Sequence, residues 1–266
     1  MCALLLILVV SLATAAVLRG DLFTSAMPVQ ANPALAAEKE NGLTQLRLTN
    51  EANAANKNID KPNTHAGARL VALTFDDGPN PYITTAILDF LAEHDVVATF
   101  YVLGNLVNRH PKIVSRMAEE GHQVGNHTQT HRELPNIGAE ARRWEVETAR
   151  DIISKVIGHE PTTIRPPFGS TTQAVRDEFD VPNILWSVDP WDWYNRCADY
   201  VTEHVLSRTQ DGCIILLHDV YHHTYEATRR IVPALLEQGF VFVTIDELLA
   251  LRGEAQPGET VRSRRP

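Results

Sequence analysis

Cysteine is nearly absent: Cys2, Cys197 and Cys213 are all that 266 residues hold, too few for a disulfide scaffold in any compartment. Cys197 and Cys213 are the pair that could bridge, but Cys213 opens the apolar run CIILLH, which reads as a buried strand, so no bridge is expected. Positive charge is also thin. Lys and Arg number 24 against 33 Asp and Glu, a net charge of −9, and the only clustered run is the short RSRRP near the C-terminal end. A nucleic-acid surface needs clustered cations, so no nucleic-acid partner is expected. No G-x-G-x-x-G follows the first apolar run, which removes the usual mark of a dinucleotide site. Nor is there a comfortably long hydrophobic stretch. Cys2 to Leu18, broken only by Ser11 and Thr14, is slightly short for a membrane span and long enough for the apolar region of an export signal. No Lys or Arg precedes it, so an uncleaved N-terminal membrane anchor stands beside cleavage at Ala13-Thr14-Ala15 or Ala34-Leu35-Ala36. Either way the protein is expected to be exported, as a secreted or cell-surface molecule.

What remains is globular: 44% hydrophobic and 21% charged residues, with length enough for one large core. Residues 1–37 are expected to be the signal or anchor with a small-residue segment. Residues 38–68 are polar, rich in Asn and Ala and without periodicity, and read as a disordered linker. Residues 69–252 form the folded domain, and 253–266 a disordered tail. Within the domain, strand-like runs (RLVALTF, ATFYVL, HQVGN, TTIRP, NILWSV, CIILLH, FVFVTI) alternate with helical ones. Such alternation implies a parallel sheet, because parallel strands need crossover connections. Gly121, Gly158 and Gly239 each follow a helical run, where a left-handed residue ends a helix at least cost. The expected fold class is α/β, a closed or nearly closed (β/α) barrel with about seven parallel strands.

Catalytic groups of such barrels gather where strands end, and here the strand ends are crowded with ionisable residues. Asp76 and Asp77 follow the first strand in LTFDDGPN; His127 and His131 follow HQVGN; TTIRP carries Arg165; NILWSV leads to Asp189 and Asp192; CIILLH ends on His218. Two adjacent carboxylates repel, so a chain needing only a turn would do better with one. The paired reading gives one a metal and the other a proton. HTQTH spaces two imidazoles four residues apart, which within one helical turn would put both on one side. It lacks the Glu of H-E-x-x-H, so a zincin is excluded. With Asp77, His127 and His131 make a two-His, one-carboxylate set suited to one divalent ion, zinc first, with cobalt, manganese or iron also fitting. His65, His94, His110, His122, His159 and His204 read as solvated or packing residues, and His222 and His223 receive no role. Asp189 reads as a turn cap and Trp191 as a packing aromatic.

In that order, TFDDGP, HTQTH, RPPFG, DPWDW and LLH resemble the five motifs of the polysaccharide deacetylase family, also called carbohydrate esterase family four or the NodB-homology domain. The resemblance runs from Arg69 to Leu251. It implies a distorted (β/α) barrel and metal-dependent removal of acetyl groups from N-acetylglucosamine polymers, peptidoglycan first and chitin-type chains second. An acetylxylan O-esterase is the alternative on the same fold, and a non-catalytic glycan-binding protein the alternative of another class. Carried over by motif, Asp76 would be the general base and Asp77, His127 and His131 the metal ligands. Arg165 would orient Asp76, and Asp192 would pair with His218, the general acid. The Phe168 N–H would face the oxyanion, while Trp193 and Leu216 would wall the acetyl pocket. The implied partner is a polysaccharide, and no protein partner is implied.

Overall fold

The computed structural model describes residues 67–265. The expected signal or anchor at 1–37 and the linker through residue 66 lie outside the described residues. Seven strands follow in chain order: β1 (Arg69–Asp76), β2 (Thr99–Val102), β3 (Gln123–Asn126), β4 (Asn183–Ile184), β5 (Cys213–His218), β6 (Phe240–Phe242) and β7 (Thr260–Val261). Every pairing between them is parallel. Strand β1 lies at the centre, with β5 along Val71–Asp76, β2 along Thr74–Asp76 and β6 along Arg69–Val71. Strand β3 extends the sheet beyond β2. The helices Ile83–Glu93, Pro111–Glu119, Ala139–Ile157, Ala198–Arg208 and His222–Glu237 are the crossovers that parallel pairing requires.

The near-continuous burial of β1 and β5 is what a parallel strand covered on both faces demands. Alternation then sorts their residues. Val71, Leu73 and Phe75 of β1 and Cys213, Ile215 and Leu217 of β5 pack into the large cluster shared with the helices. Leu70 and Ala72 of β1 and Ile214 of β5 join Tyr101, Ile184 and Val243 in a smaller inner cluster. Continuing that inner parity brings Thr74 and Asp76 of β1, and Leu216 and His218 of β5, to the C-terminal end of the sheet. Cys213 is buried and free, and Cys197 is exposed and free.

Two expectations change here. TTIRP does not form a strand: only Ile164 pairs, bridging Asn126 on one side and Asn183 on the other. Pro161 and Pro166–Pro167 bracket it, and a residue without an N–H cannot extend a ladder. With Val188 bridging Ile215, the ring runs from β3 through Ile164 and the β4 segment to β5 by single bridges rather than continuous ladders. The second correction concerns residues 253–266, expected to be disordered. Residues 253–265 are ordered, and β7 lies parallel to β4. The N–H groups of Asn183 and Leu185 donate to the carbonyls of Glu259 and Val261 at 2.8 and 2.7 Å, and Arg264 N–H to Gly212 O at 2.8 Å. A polar composition hid this segment because its attachment is made mostly by backbone groups satisfying a short, otherwise open strand edge. Val261, its one deeply buried side chain, joins the inner cluster.

Candidate active site

Adjacent residues of a strand point to opposite faces, so Asp76 and Asp77 can serve one site only if the chain turns between them. It does: Asp77 has φ +74°, in the left-handed region. Asp76 Oδ2 and Asp77 Oδ1 consequently lie 3.7 and 3.4 Å from the same atom, His127 Nε2. Asp76 is buried and anchored through its other oxygen. Arg165, fully buried, donates from Nη1 to Asp76 Oδ1 and to Thr74 Oγ1, both at 2.7 Å. Its Nε and Nη2 donate to the carbonyls of Ile184 and Leu185 at 3.0 and 3.2 Å, and its guanidinium lies 4.2 Å over the Tyr101 ring. Oδ1 is therefore fixed and Oδ2 faces the site.

HTQTH is not a helical turn. Strand β3 stops at Asn126 and the loop curls back through left-handed residues at Thr128 and His131, φ +73° and +64°. Both imidazoles still converge, their ring centroids 5.0 Å apart. His127 Nδ1 donates to Arg165 O at 2.6 Å, which leaves the Nε2 lone pair facing Asp77. His131 Nε2 is 3.3 Å from Asp77 Oδ1. That oxygen is buried and accepts no hydrogen bond among the described residues, and one donor atom from each of Asp77, His127 and His131 lies within 4.8 Å of the others. An orphaned carboxylate oxygen between two imidazole nitrogens fits a small divalent cation. Burial opposes charge on Asp77, but its close contact with His127 and the electrostatic influence of His127, His218 and His131 carry its pKa down to about 2. Burial and the neighbouring His127 hold His131 below the ordinary imidazole range, so its nitrogen is available as a ligand.

His218 ends β5 directly opposite Asp76 of β1 in the parallel register. Asp192, fully buried at the start of the short helix Asp192–Asn195, grips it twice: Oδ1 accepts from His218 Nδ1 at 2.7 Å and Oδ2 from His218 N–H at 2.8 Å. Thr224 Oγ1 adds a third bond to Oδ2 at 2.7 Å. Burial alone would lower the His218 pKa, but Asp192, by hydrogen bond and by charge, raises it to about 9. The imidazolium is thus the prevailing form at neutral pH, with Nε2–H left to act.

Phe168 is 66% exposed at φ +61°, its ring edge-on to His131 at 4.6 Å. In its tight turn the N–H groups of Gly169 and Ser170 bond back to Pro166 and Pro167, while among the described residues that of Phe168 donates to no acceptor. Trp193, next to Asp192, is 49% exposed, and Leu216 is buried on the inner parity of β5. Asp189 caps a turn, its Oδ1 accepting the Trp191 N–H at 2.8 Å. Trp191 is 47% exposed, only partly the packing residue expected, and Trp193 and Tyr194 emerge beside it.

Two groups escaped the sequence reading. His223 Nε2 bonds the Asp192 carbonyl at 2.7 Å. Asp219 lies buried against Gly78, where an added Cβ would meet its carboxylate oxygen at 2.2 Å; Thr84 Oγ1 donates to Oδ2, and Oδ1 has no partner among the described residues. Burial lifts Asp219 to about 7 against the Thr84 hydrogen bond, with the negative charges of Asp77 and Asp76 adding to the rise. Its position directly after His218 was the only available signal.

Residues 63–180 match the family described as Polysaccharide deacetylase. The peptidoglycan-N-acetylglucosamine deacetylase PgdA of Listeria monocytogenes is 42% identical over 180 residues, covering 68% of this chain and 39% of that protein. This chain thus spans less than half the length of that relative. The chitooligosaccharide deacetylase of a Bradyrhizobium strain is 38% identical over 201 residues, 69% of this chain and 92% of that protein. A family 4 acetyl xylan esterase from Clostridium thermocellum, solved with a cobalt ion, superposes with a TM-score of 0.70 at 35% identity, covering 73% of this chain and 98% of that one. The chain belongs to the polysaccharide deacetylase family.

Proposed function

We propose that this protein is a metal-dependent hydrolase that removes N-acetyl groups from N-acetylglucosamine residues of an extracellular polysaccharide, peptidoglycan first and chitin-type polymers next. The observation that carries the reading is the convergence of the Asp77, His127 and His131 donor atoms beside the paired Asp76–Arg165 and His218–Asp192 groups. Zinc is the ion we favour, since two imidazoles and one carboxylate leave positions open for water and substrate. Export, by signal or anchor, is part of the same proposal, because such polymers lie outside the cell.

A divalent ion held by Asp77, His127 and His131 would supply Lewis acidity toward an acetyl carbonyl and toward water. The chain's own groups do the rest. Asp76, fixed at Oδ1 by Arg165, accepts the proton of the attacking water at Oδ2. The free Phe168 N–H donates to the oxyanion as it develops; one such donor is typically worth about 3 to 4 kcal/mol. His218, held by Asp192 at Nδ1, delivers its Nε2 proton to the departing amine. Trp193 and Leu216 wall the acetyl group, and Trp191 and Tyr194 extend an aromatic rim on which sugar faces can lie.

The test is acetate release from peptidoglycan and from chitooligosaccharides, after chelation and again with Zn²⁺ or Co²⁺ restored, with the Asp76→Asn variant as the inactive control. Release that vanishes on chelation and returns with metal is expected. Release from acetylxylan alone would instead favour the O-esterase reading that the Clostridium neighbour supports. No release by a folded, metal-loaded protein from any of these polymers would leave glycan binding without catalysis.

A further inference from the structure

Between His127 and His131 lie Thr128, Gln129 and Thr130, and the helix Ala139–Ile157 holds this stretch through two consecutive residues. Glu145 is fully buried. Its Oε2 accepts the Thr130 N–H at 2.7 Å, and its Oε1 accepts the Thr130 hydroxyl. Val146 offers its carbonyl to Asn126 Nδ2 at 2.9 Å, and Asn126 Oδ1 in turn accepts the Thr128 N–H at 2.8 Å. The opposite side of the loop is tied down by Gly104 N–H to Thr128 O at 3.0 Å and Asn105 N–H to Gln129 O at 3.1 Å.

Among the described residues Glu145 makes no ion pair, and both its hydrogen-bond donors belong to Thr130. A carboxyl group taken wholly out of water is a costly choice for a helix that only needs to pack. An apolar residue would fill the same space without that cost. What the carboxyl adds is two directed bonds to the residue immediately before His131, in a loop that turns left-handed at Thr128 and again at His131. Such turns are unfavourable for residues with a Cβ and persist where the surroundings over-determine them.

We propose that Glu145 is a positioning residue for the candidate metal centre, locking Thr130 so that the left-handed turn at His131 brings both imidazoles onto Asp77. The inference rests on reading Asp77, His127 and His131 as the ligands, and its test separates the two. Zn²⁺ is titrated calorimetrically into the metal-free full chain and its Glu145→Ala, Glu145→Gln and Thr130→Val variants, with fold checked by circular dichroism. The visible spectrum of the Co²⁺ form reports ligand geometry. Glu145→Ala is expected to weaken Zn²⁺ binding by roughly 10- to 100-fold, the usual effect of losing a group that orients a ligand. Glu145→Gln, whose amide oxygen can still accept one bond, and Thr130→Val, which keeps the backbone bond, should fall between, each with an altered Co²⁺ spectrum. If Glu145→Ala does not fold, Thr130→Val decides, because it leaves the helix untouched. Folded variants with wild-type affinity and an unchanged spectrum overturn the role of Glu145 alone. A wild-type chain that binds neither ion overturns the metal centre and this inference together.

Discussion

At the scale of single residues, opposite partners pull the proposed acid and the proposed ligand apart: a carboxylate raises His218 while imidazoles lower Asp77. Asp192 raises His218 to about 9, so the proposed proton donor is competent at neutral pH and is lost above that value. The expected outcome is a basic limb of kcat/KM near pH 9. In Asp192→Asn the limb should move down by roughly one unit or more, since the charge that holds the proton is gone. An unmoved limb would show that the pair does not govern the profile. The stability sign agrees. A group raised from 6.5 to about 9 on folding stabilises fully below pH 6.5 and loses that contribution as pH climbs through 9. Asp76, Asp77, His127, His131, Arg165, Asp192 and His218 were legible in the sequence because each stands in one of the ordered motifs as well as in or beyond a strand-like run. Asp219 and Glu145 were not, for their meaning lies in partners supplied by other elements: Gly78 for the first, Thr130 for the second.

Among the elements, those with strong local signals came out as read. Continuous apolar runs gave β1 and β5, and Gly121, Gly158 and Gly239 all lie at φ between +79° and +87° after their helices. TTIRP, HTQTH and the C-terminal segment depart from their local patterns for a common reason. In each, neighbours from elsewhere in the fold decide the backbone: prolines cut one ladder short, a helix carboxyl bends a loop, and an open edge recruits a polar segment. The turn after β1 is equally dependent on its surroundings. Gly78→Ala would drive a Cβ into the Asp219 carboxyl, which Thr84 pins in place. The variant is expected to keep its helical circular dichroism yet bind Zn²⁺ about tenfold or more weakly, because Asp77 moves with the turn. Wild-type affinity, measured by the same calorimetry, would mean the turn tolerates the methyl group.

For the molecule as a whole, the C-terminal segment braces the β4 edge beneath the candidate site. Strand β7 satisfies Asn183 and Leu185 of the β4 segment, and the carbonyls of Ile184 and Leu185 in that segment hold Arg165, which holds Asp76. Deleting residues 254–266 strips two buried N–H groups of their acceptors, at about 1 to 3 kcal/mol each. A fall in Tm of roughly 10 °C is expected by calorimetry, since 1 kcal/mol shifts a domain of this size by about 2 to 4 °C. Turnover should fall beyond what the loss of folded protein explains. A truncated protein that melts like the full one would remove β7 from this account. The same connection orders events in time. During synthesis on the ribosome, β1, the HTQTH loop and Arg165 all emerge well before residues 260–261. The carbonyls that seat Arg165 are braced only when those later residues arrive. The Asp76–Arg165 pair is therefore braced only once residues 259–261 have emerged, and a nascent chain stalled short of β7 would carry Asp76, Arg165 and the three proposed ligands without the frame that aligns them.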